Sequence, residues 1–169
     1  MKRTNLWITI GIPGSGKSTW LNKYAKGPVV SRDAIRFGLL KEGDDYFKYE
    51  NEVVKTFHET IQKYLYDRAI ENVYADATHL NEKSRRKLLK ELDLTDVQVN
   101  YLYFDTPLKI CKKRNALRTG LANVPETVIE NMYASLQKTT QKEIDLYKVL
   151  TYQINHKGVI ESVSDLACE

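Results

Sequence analysis

Gly-Ile-Pro-Gly-Ser-Gly-Lys-Ser-Thr, residues 11–19, follows directly on the apolar run 6–10. The spacing is G-x-x-x-x-G-K-[ST], set between a stretch that reads as a strand and one that reads as a helix. Each position has a task in holding a nucleoside triphosphate. Gly11, Gly14 and Gly16 let the backbone curl, with Pro13 and Ser15 between them, so that successive N–H groups point at phosphate oxygens. Lys17 brings a cation to the outer phosphates, and the Ser18 hydroxyl can ligate Mg²⁺. Thr19 continues into a helix whose positive N-terminal end faces the same anions. The stretch therefore predicts binding of ATP or GTP with Mg²⁺, and the question becomes which group receives a phosphate.

Outward from this loop, strands and helices alternate. Residues 6–12 read as a strand buried on both faces, 17–26 as a helix ended by Gly27-Pro28, and 29–31 as a second strand. A short helix is expected over 32–40 and a loop over 41–47. Val53, Phe57, Ile61 and Leu65 recur every four residues and predict a long helix over 49–72. Strands are expected at 72–76, 97–104 and 149–155. Asn81 is expected to cap a helix to 92, and Thr106 to cap one that begins with Pro107 and runs to 117. Pro125 opens a further helix, and beyond 138 a last helix, a strand and a loose tail are expected. The pattern implies one α/β domain over 1–169 with a P-loop NTPase fold: a parallel sheet of about five strands, helices on both faces, and a helical lid at about 114–125.

Composition narrows the class. The chain has 169 residues, 42% hydrophobic and 28% charged, with net charge +4. That charge is too mild to establish a nucleic-acid partner. Cys111 and Cys168 lie in no C-x-x-C and read as a core thiol and a tail thiol. No run approaches the ~18 apolar residues of a membrane span, and the short apolar run after Met1-Lys2-Arg3 does not make a signal peptide. A cytoplasmic enzyme with no membrane partner is expected.

In a parallel sheet, ligands sit outside the carboxyl ends of the strands. Ser31, Arg32 and Asp33 follow the second strand, Asp76, Thr78 and His79 the third, and Asp105 the fourth, so these groups are expected to converge on the phosphates. Asp33 could take the proton of an incoming hydroxyl, and Arg36, three residues on, could hold an anionic part of the acceptor. Asp76 ends an apolar strand as a Walker-B-type aspartate does and could serve the Mg²⁺ shell. His79 reads as a polar loop residue. Arg114 and Arg118 stand where small kinases carry lid arginines that close over the phosphates.

These residues resemble the kinase domain of phage-type polynucleotide 5′-kinases, within the small P-loop kinases that include zeta-toxin-like enzymes. The likeness spans about 6–137. It rests on residues 11–20, Ser-Arg-Asp-Ala-Ile-Arg (31–36), Asp-Ala-Thr-His-Leu-Asn (76–81), Lys-Arg-Asn-Ala-Leu-Arg (113–118) and Val-Pro-Glu-Thr-Val-Ile-Glu-Asn-Met-Tyr (124–133). The resemblance implies ATP and Mg²⁺ as cofactors, and a 5′-hydroxyl end of DNA or RNA as the acceptor. It makes Asp33 the general base, Arg36 the ligand of the first phosphate on the 3′ side, and Arg118 the lid arginine on the donor phosphates with Arg114 nearby. Thr78, Val124 and Pro125 fall near the acceptor. The chain departs from the pattern where Ala77 separates Asp76 from Thr78, and where His79 replaces an asparagine. A kinase of a small metabolite such as a nucleoside, sugar or nucleotide sugar would share the loop, Asp33 and the lid. A nucleotide switch is a third class, and the missing Asn-Lys-x-Asp signature disfavours a GTPase.

Overall fold

The structure is a computed structural model, which describes residues 3–165. Six strands form one sheet in the order β2-β3-β1-β4-β5-β6. The strands are β1 (Thr4–Ile10), β2 (Val29–Ser31), β3 (Asn72–Asp76), β4 (Val97–Asp105), β5 (Leu150–Asn155) and β6 (Ile160–Ser164). All neighbours are parallel except β5 and β6. The helices are α1 (Lys17–Tyr24), α2 (Arg32–Leu39), α3 (Glu50–Tyr66), α4 (Glu82–Lys90), α5 (Leu108–Ala116), α6 (Glu126–Ser135) and α7 (Gln141–Tyr147). A 3₁₀ turn at Gly120–Ala122 joins α5 to α6.

The two-residue period of the strands divides the core. Leu6, Ile8 and Ile10 of β1, with Val97, Val99 and Tyr101 of β4, pack on Phe57, Ile61 and Leu65 of α3 and on Leu88 and Leu89 of α4. Trp7 of β1 and Leu102 and Phe104 of β4 face the other way, toward Leu21 of α1. The apolar stripe expected on α3 is its buried face.

Three local expectations change. α3 stops at Tyr66, six residues before 72. The stripe ends at Leu65, Asp67 turns extended, and its Oδ1 accepts the Ala69 N–H at 3.0 Å, which favours a turn over another helical turn. Pro107 is the N-cap of α5 rather than its first residue. The Thr106 hydroxyl is used elsewhere, donating to the Ser15 carbonyl at 2.9 Å. The sheet has six strands, because the expected tail folds back as β6: Asn155 Oδ1 accepts the N–H groups of Lys157 and Val159 in a tight turn. Cys111 is buried as expected, while Cys168 lies outside the described residues. Asn81 caps α4 as expected, in a capping box with Ser84. Among the described residues no helix is long and apolar enough to cross a membrane.

Candidate active site

The strand ends β1, β2 and β3 open into one cleft of about 580 Å³. Pro13, Gly14, Gly16, Lys17 and Ser18 form its floor, Asp33, Arg36 and Asp76 one wall, and Arg118, Leu121, Val124, Val128 and Met132 the other.

The floor is the curled loop. Gly14 has φ +84°, and a Cβ there would stand 2.5 Å from the Cys111 carbonyl oxygen, so neither the conformation nor the space admits a side chain. The loop runs into α1, whose first N–H groups have no partners within the helix and face an anion site. Lys17 Nζ donates to the carbonyls of Gly11 (2.8 Å) and Ile12 (2.9 Å). Desolvation pushes its pKa down to about 8, with Asp76 pulling the other way.

Asp76 is 8% exposed. Its Oδ1 accepts from Thr9 Oγ1 and its Oδ2 from Ser18 Oγ, both at 3.3 Å. Burial raises its pKa above the ordinary value, against Lys17 and these two hydrogen bonds. Ser18 and Asp76 thus offer adjacent hard oxygen donors, which suits Mg²⁺, an ion that keeps several waters and shares its ligands with phosphates. Among the described residues no three His, Cys, Asp or Glu side chains gather as a metal cage. The inserted Ala77 leaves Asp76 in place. Thr9 Oγ1 donates to the Ala77 carbonyl at 2.8 Å, and Gly11 N–H donates to the Thr78 carbonyl at 3.0 Å, so the segment is pinned to β1 with Thr78 on the cleft.

On the second strand end, Ser31 caps α2 by accepting the Ala34 N–H. The Asp33 side chain is 65% exposed and that of Arg36 only 6%. Arg36 Nη1 donates to Asp33 Oδ1 at 2.8 Å, while its Nη2 and Nε face the Glu50 carboxylate, the closest approach being 2.8 Å. Burial opposes the charge of Arg36, but Glu50, Tyr46 and Asp33 more than offset it and hold its pKa above the ordinary value. The guanidinium lies 4.7 Å from the Tyr46 ring centroid. Phe37, Tyr46 and Phe47 form a continuous aromatic ledge beside Asp33, with Tyr46 and Phe47 centroids 4.8 Å apart.

Across the cleft, Arg118 is exposed on the loop before the 3₁₀ turn, and among the described residues its guanidinium makes no hydrogen bond or ion pair. Arg114 does not line the cleft. It donates to the Gly14 carbonyl at 3.2 Å and to the His156 carbonyl at 2.8 Å, bracing the phosphate-binding loop from behind. Two other expected members are also displaced. Asp105 accepts from Gln153 on β5, away from the cleft. His79 is buried, with Nδ1 2.8 Å from the Thr9 carbonyl, and burial takes its pKa down to about 3, which makes it a neutral core imidazole.

Sequence reasoning missed Glu50 and Asn115. Asn115 is buried and grips Val124 on both backbone groups, at 2.7 Å and 3.0 Å, which ties the chain entering α6 to α5. Its signal was its place in the Lys-Arg-Asn series. Glu50 lies fourteen residues beyond Arg36, and no local pattern links the two.

The family model of the AAA domain matches residues 6–139, so the chain belongs to that family. A sugar kinase from Janibacter sp. HTCC2649 is similar at 17% identity over 91% of this chain and 86% of that one, with TM-score 0.63. A chain of the Pnkp1/Rnl/Hen1 RNA repair complex is similar at 24% identity and TM-score 0.68, over 80% of this chain and 45% of its own length. A fungal RNA kinase is similar at 16% identity and TM-score 0.64, over 96% of this chain and 79% of that one. The chain thus joins a P-loop to an AAA-family domain, and the solved structures that share its fold include a sugar kinase and an RNA kinase.

Proposed function

We propose, from this family membership and the cleft, that the protein is an ATP-dependent polynucleotide 5′-hydroxyl kinase of the cytoplasm, acting on a DNA or RNA end. One observation carries the reading: the exposed Asp33 carboxylate shares a cleft with Lys17 and stands beside the aromatic ledge of Phe37, Tyr46 and Phe47. A terminal nucleoside presents a hydroxyl and a flat base together, and exposed aromatic rings are the usual platform for a base. A sugar alone would meet that ledge only with C–H groups, without the flat π-face of a base. The RNA kinases among the structural neighbours are consistent with this acceptor, and the sugar kinases share the same fold.

Each residue then has a task. Lys17 turns from the Gly11 and Ile12 carbonyls to the donor phosphates, and Arg118 meets them from the lid side. Ser18 and Asp76 hold Mg²⁺, which neutralises phosphate charge when bound. Arg36 and Tyr46 hold Asp33 Oδ1, which turns Oδ2 toward the acceptor. The acceptor oxygen bonds to the γ-phosphorus, the bond to the β-bridging oxygen breaks, ADP leaves, and the hydroxyl proton passes to Asp33.

The test is transfer of labelled γ-phosphate from ATP to short single-stranded 5′-hydroxyl DNA and RNA, with a 5′-phosphorylated control. Label on the hydroxyl strands and not on the control is expected. Absence of label with ATP still bound overturns the polynucleotide reading and moves the acceptor to the small metabolites.

A further inference from the structure

A guanidinium has five N–H donors in a rigid fork. In Arg36 they meet five acceptor contacts: three to Glu50, at 3.3, 3.0 and 2.8 Å, one to Asp33 at 2.8 Å and one to Tyr46 at 3.2 Å. The Nε–Nη2 edge, which would clasp a phosphate in two parallel hydrogen bonds, is clasped by a carboxylate. Two rings, Tyr46 and Phe47, pack on the same guanidinium at 4.7 and 6.0 Å. Arg36 is 5% exposed and cannot swing out to a ligand. The partner that occupies the Nε–Nη2 edge is Glu50, the first residue of α3, whose side chain is 34% exposed and so within reach of a ligand in the cleft. The other charges on this wall are Asp33, Asp76 and Arg32, and all three line the cleft.

We infer that Glu50 is a specificity-determining residue of the acceptor site, competing with an anionic group of the acceptor for the Nε–Nη2 edge of Arg36. The inference rests on the kinase reading above. With Glu50 in place, a phosphate reaches Arg36 only by displacing a carboxylate, and it does so in the field of a second one, Asp33. The site therefore gains little from the phosphate on the 3′ side of the terminal nucleoside, and acceptor affinity rests on the aromatic ledge and the hydroxyl. An amide at position 50 keeps the shape but donates the edge more cheaply to phosphate, because only charge-assisted pairs hold a guanidinium strongly.

The test is direct binding, by calorimetry, of a nucleoside 3′-monophosphate and the matching nucleoside to wild type and to Glu50→Gln. In wild type the two ligands are expected to bind within about threefold of each other. In Glu50→Gln the 3′-phosphorylated ligand is expected to tighten by about tenfold, with the nucleoside unchanged. Adding Arg36→Ala to Glu50→Gln is expected to erase that gain. An unchanged ratio, or equal weakening of both ligands, overturns the inference and makes Glu50 a support for Arg36. Glu50→Ala, checked for an intact melting transition, serves if the glutamine variant is unstable, and the same ratio decides. The kinase reading fails separately, by absence of transfer to wild type's hydroxyl strands, and the binding ratio is read whether or not transfer occurs.

Discussion

Ser18 Oγ and Asp76 Oδ2 lie 3.3 Å apart, joining the start of α1 to the end of β3. The carboxylate at this contact is nearly dry, and burial raises its pKa against the pull of Lys17 and its hydrogen bonds from Thr9 and Ser18. An unfolded aspartate titrates near ~3.9. Above that value the folded state holds the extra proton, so stability is lost as pH rises through the folded pKa, and the loss persists at neutral pH. Asp76→Asn should therefore raise Tm while cutting Mg²⁺-dependent turnover at least ~100-fold. A melting scan at pH 7 beside a Mg²⁺ titration of activity checks both. A lower Tm with activity retained would contradict the assignment.

Lys17 has its pKa lowered to about 8 by desolvation. ATP should bind the ammonium form, so kcat/KM for ATP should fall above about pH 8, by up to tenfold per unit. Bound phosphates restore the ammonium, so kcat should hold to higher pH. The stability sign runs the other way. The unfolded lysine titrates near ~10.4, so this group's contribution to stability rises with pH from about 8 to that value. Initial rates across pH 6.5–9.5 at limiting and saturating ATP separate the two profiles.

How much of this was legible in the sequence depends on the range of the interaction. The loop 11–19, the alternation of strands and helices and the Asn81 cap are local, and they hold. Placing ligands at strand ends drew Asp33, Asp76 and Thr78 into one cleft, because a parallel sheet puts its carboxyl ends together. The rule overreached at Asp105, whose strand lies on the far side of β1 and whose carboxylate turns to Gln153. It overreached at His79 as well, whose ring is buried between the Thr9 carbonyl and Phe57. Glu50 escaped because its pairing with Arg36 depends on how α3 lies against α2. β6 escaped because its exposed side chains carry no clear alternation.

Asp33→Asn should lower transfer by about 10²- to 10⁴-fold, the usual worth of a positioned general base. ATP affinity should stay within about twofold, since Asp33 contacts Arg36 and Tyr46 and not the phosphate-binding loop. Single-turnover transfer with a separate ATP titration reads the two quantities. Full turnover in this variant removes Asp33 as the base.

The buried ion pair of Arg85 and Glu143 offers a prediction about the scaffold alone. Both side chains are fully buried, with Arg85 Nη2 and Glu143 Oε1 2.8 Å apart. Arg85 also donates to the carbonyls of His79, Gln137 and Lys138, and Tyr101 donates to Glu143. Apart from the bond to the His79 carbonyl, the contacts of that guanidinium therefore depend on α7 and the chain entering it. Glu143→Ala strands a charge in the core and should cost about 3–5 kcal/mol in chemical denaturation. Replacing the pair together by Arg85→Met and Glu143→Leu should cost less than the single change, because no charge is left behind. At a temperature where each variant is folded, KM for ATP should stay within about threefold of wild type, since the network reaches the cleft-lining segment 76–78 only indirectly, through the carbonyl of the adjoining His79. A large rise in KM at full folding would mean that the 76–79 segment is positioned from α7, and not from Thr9 on β1.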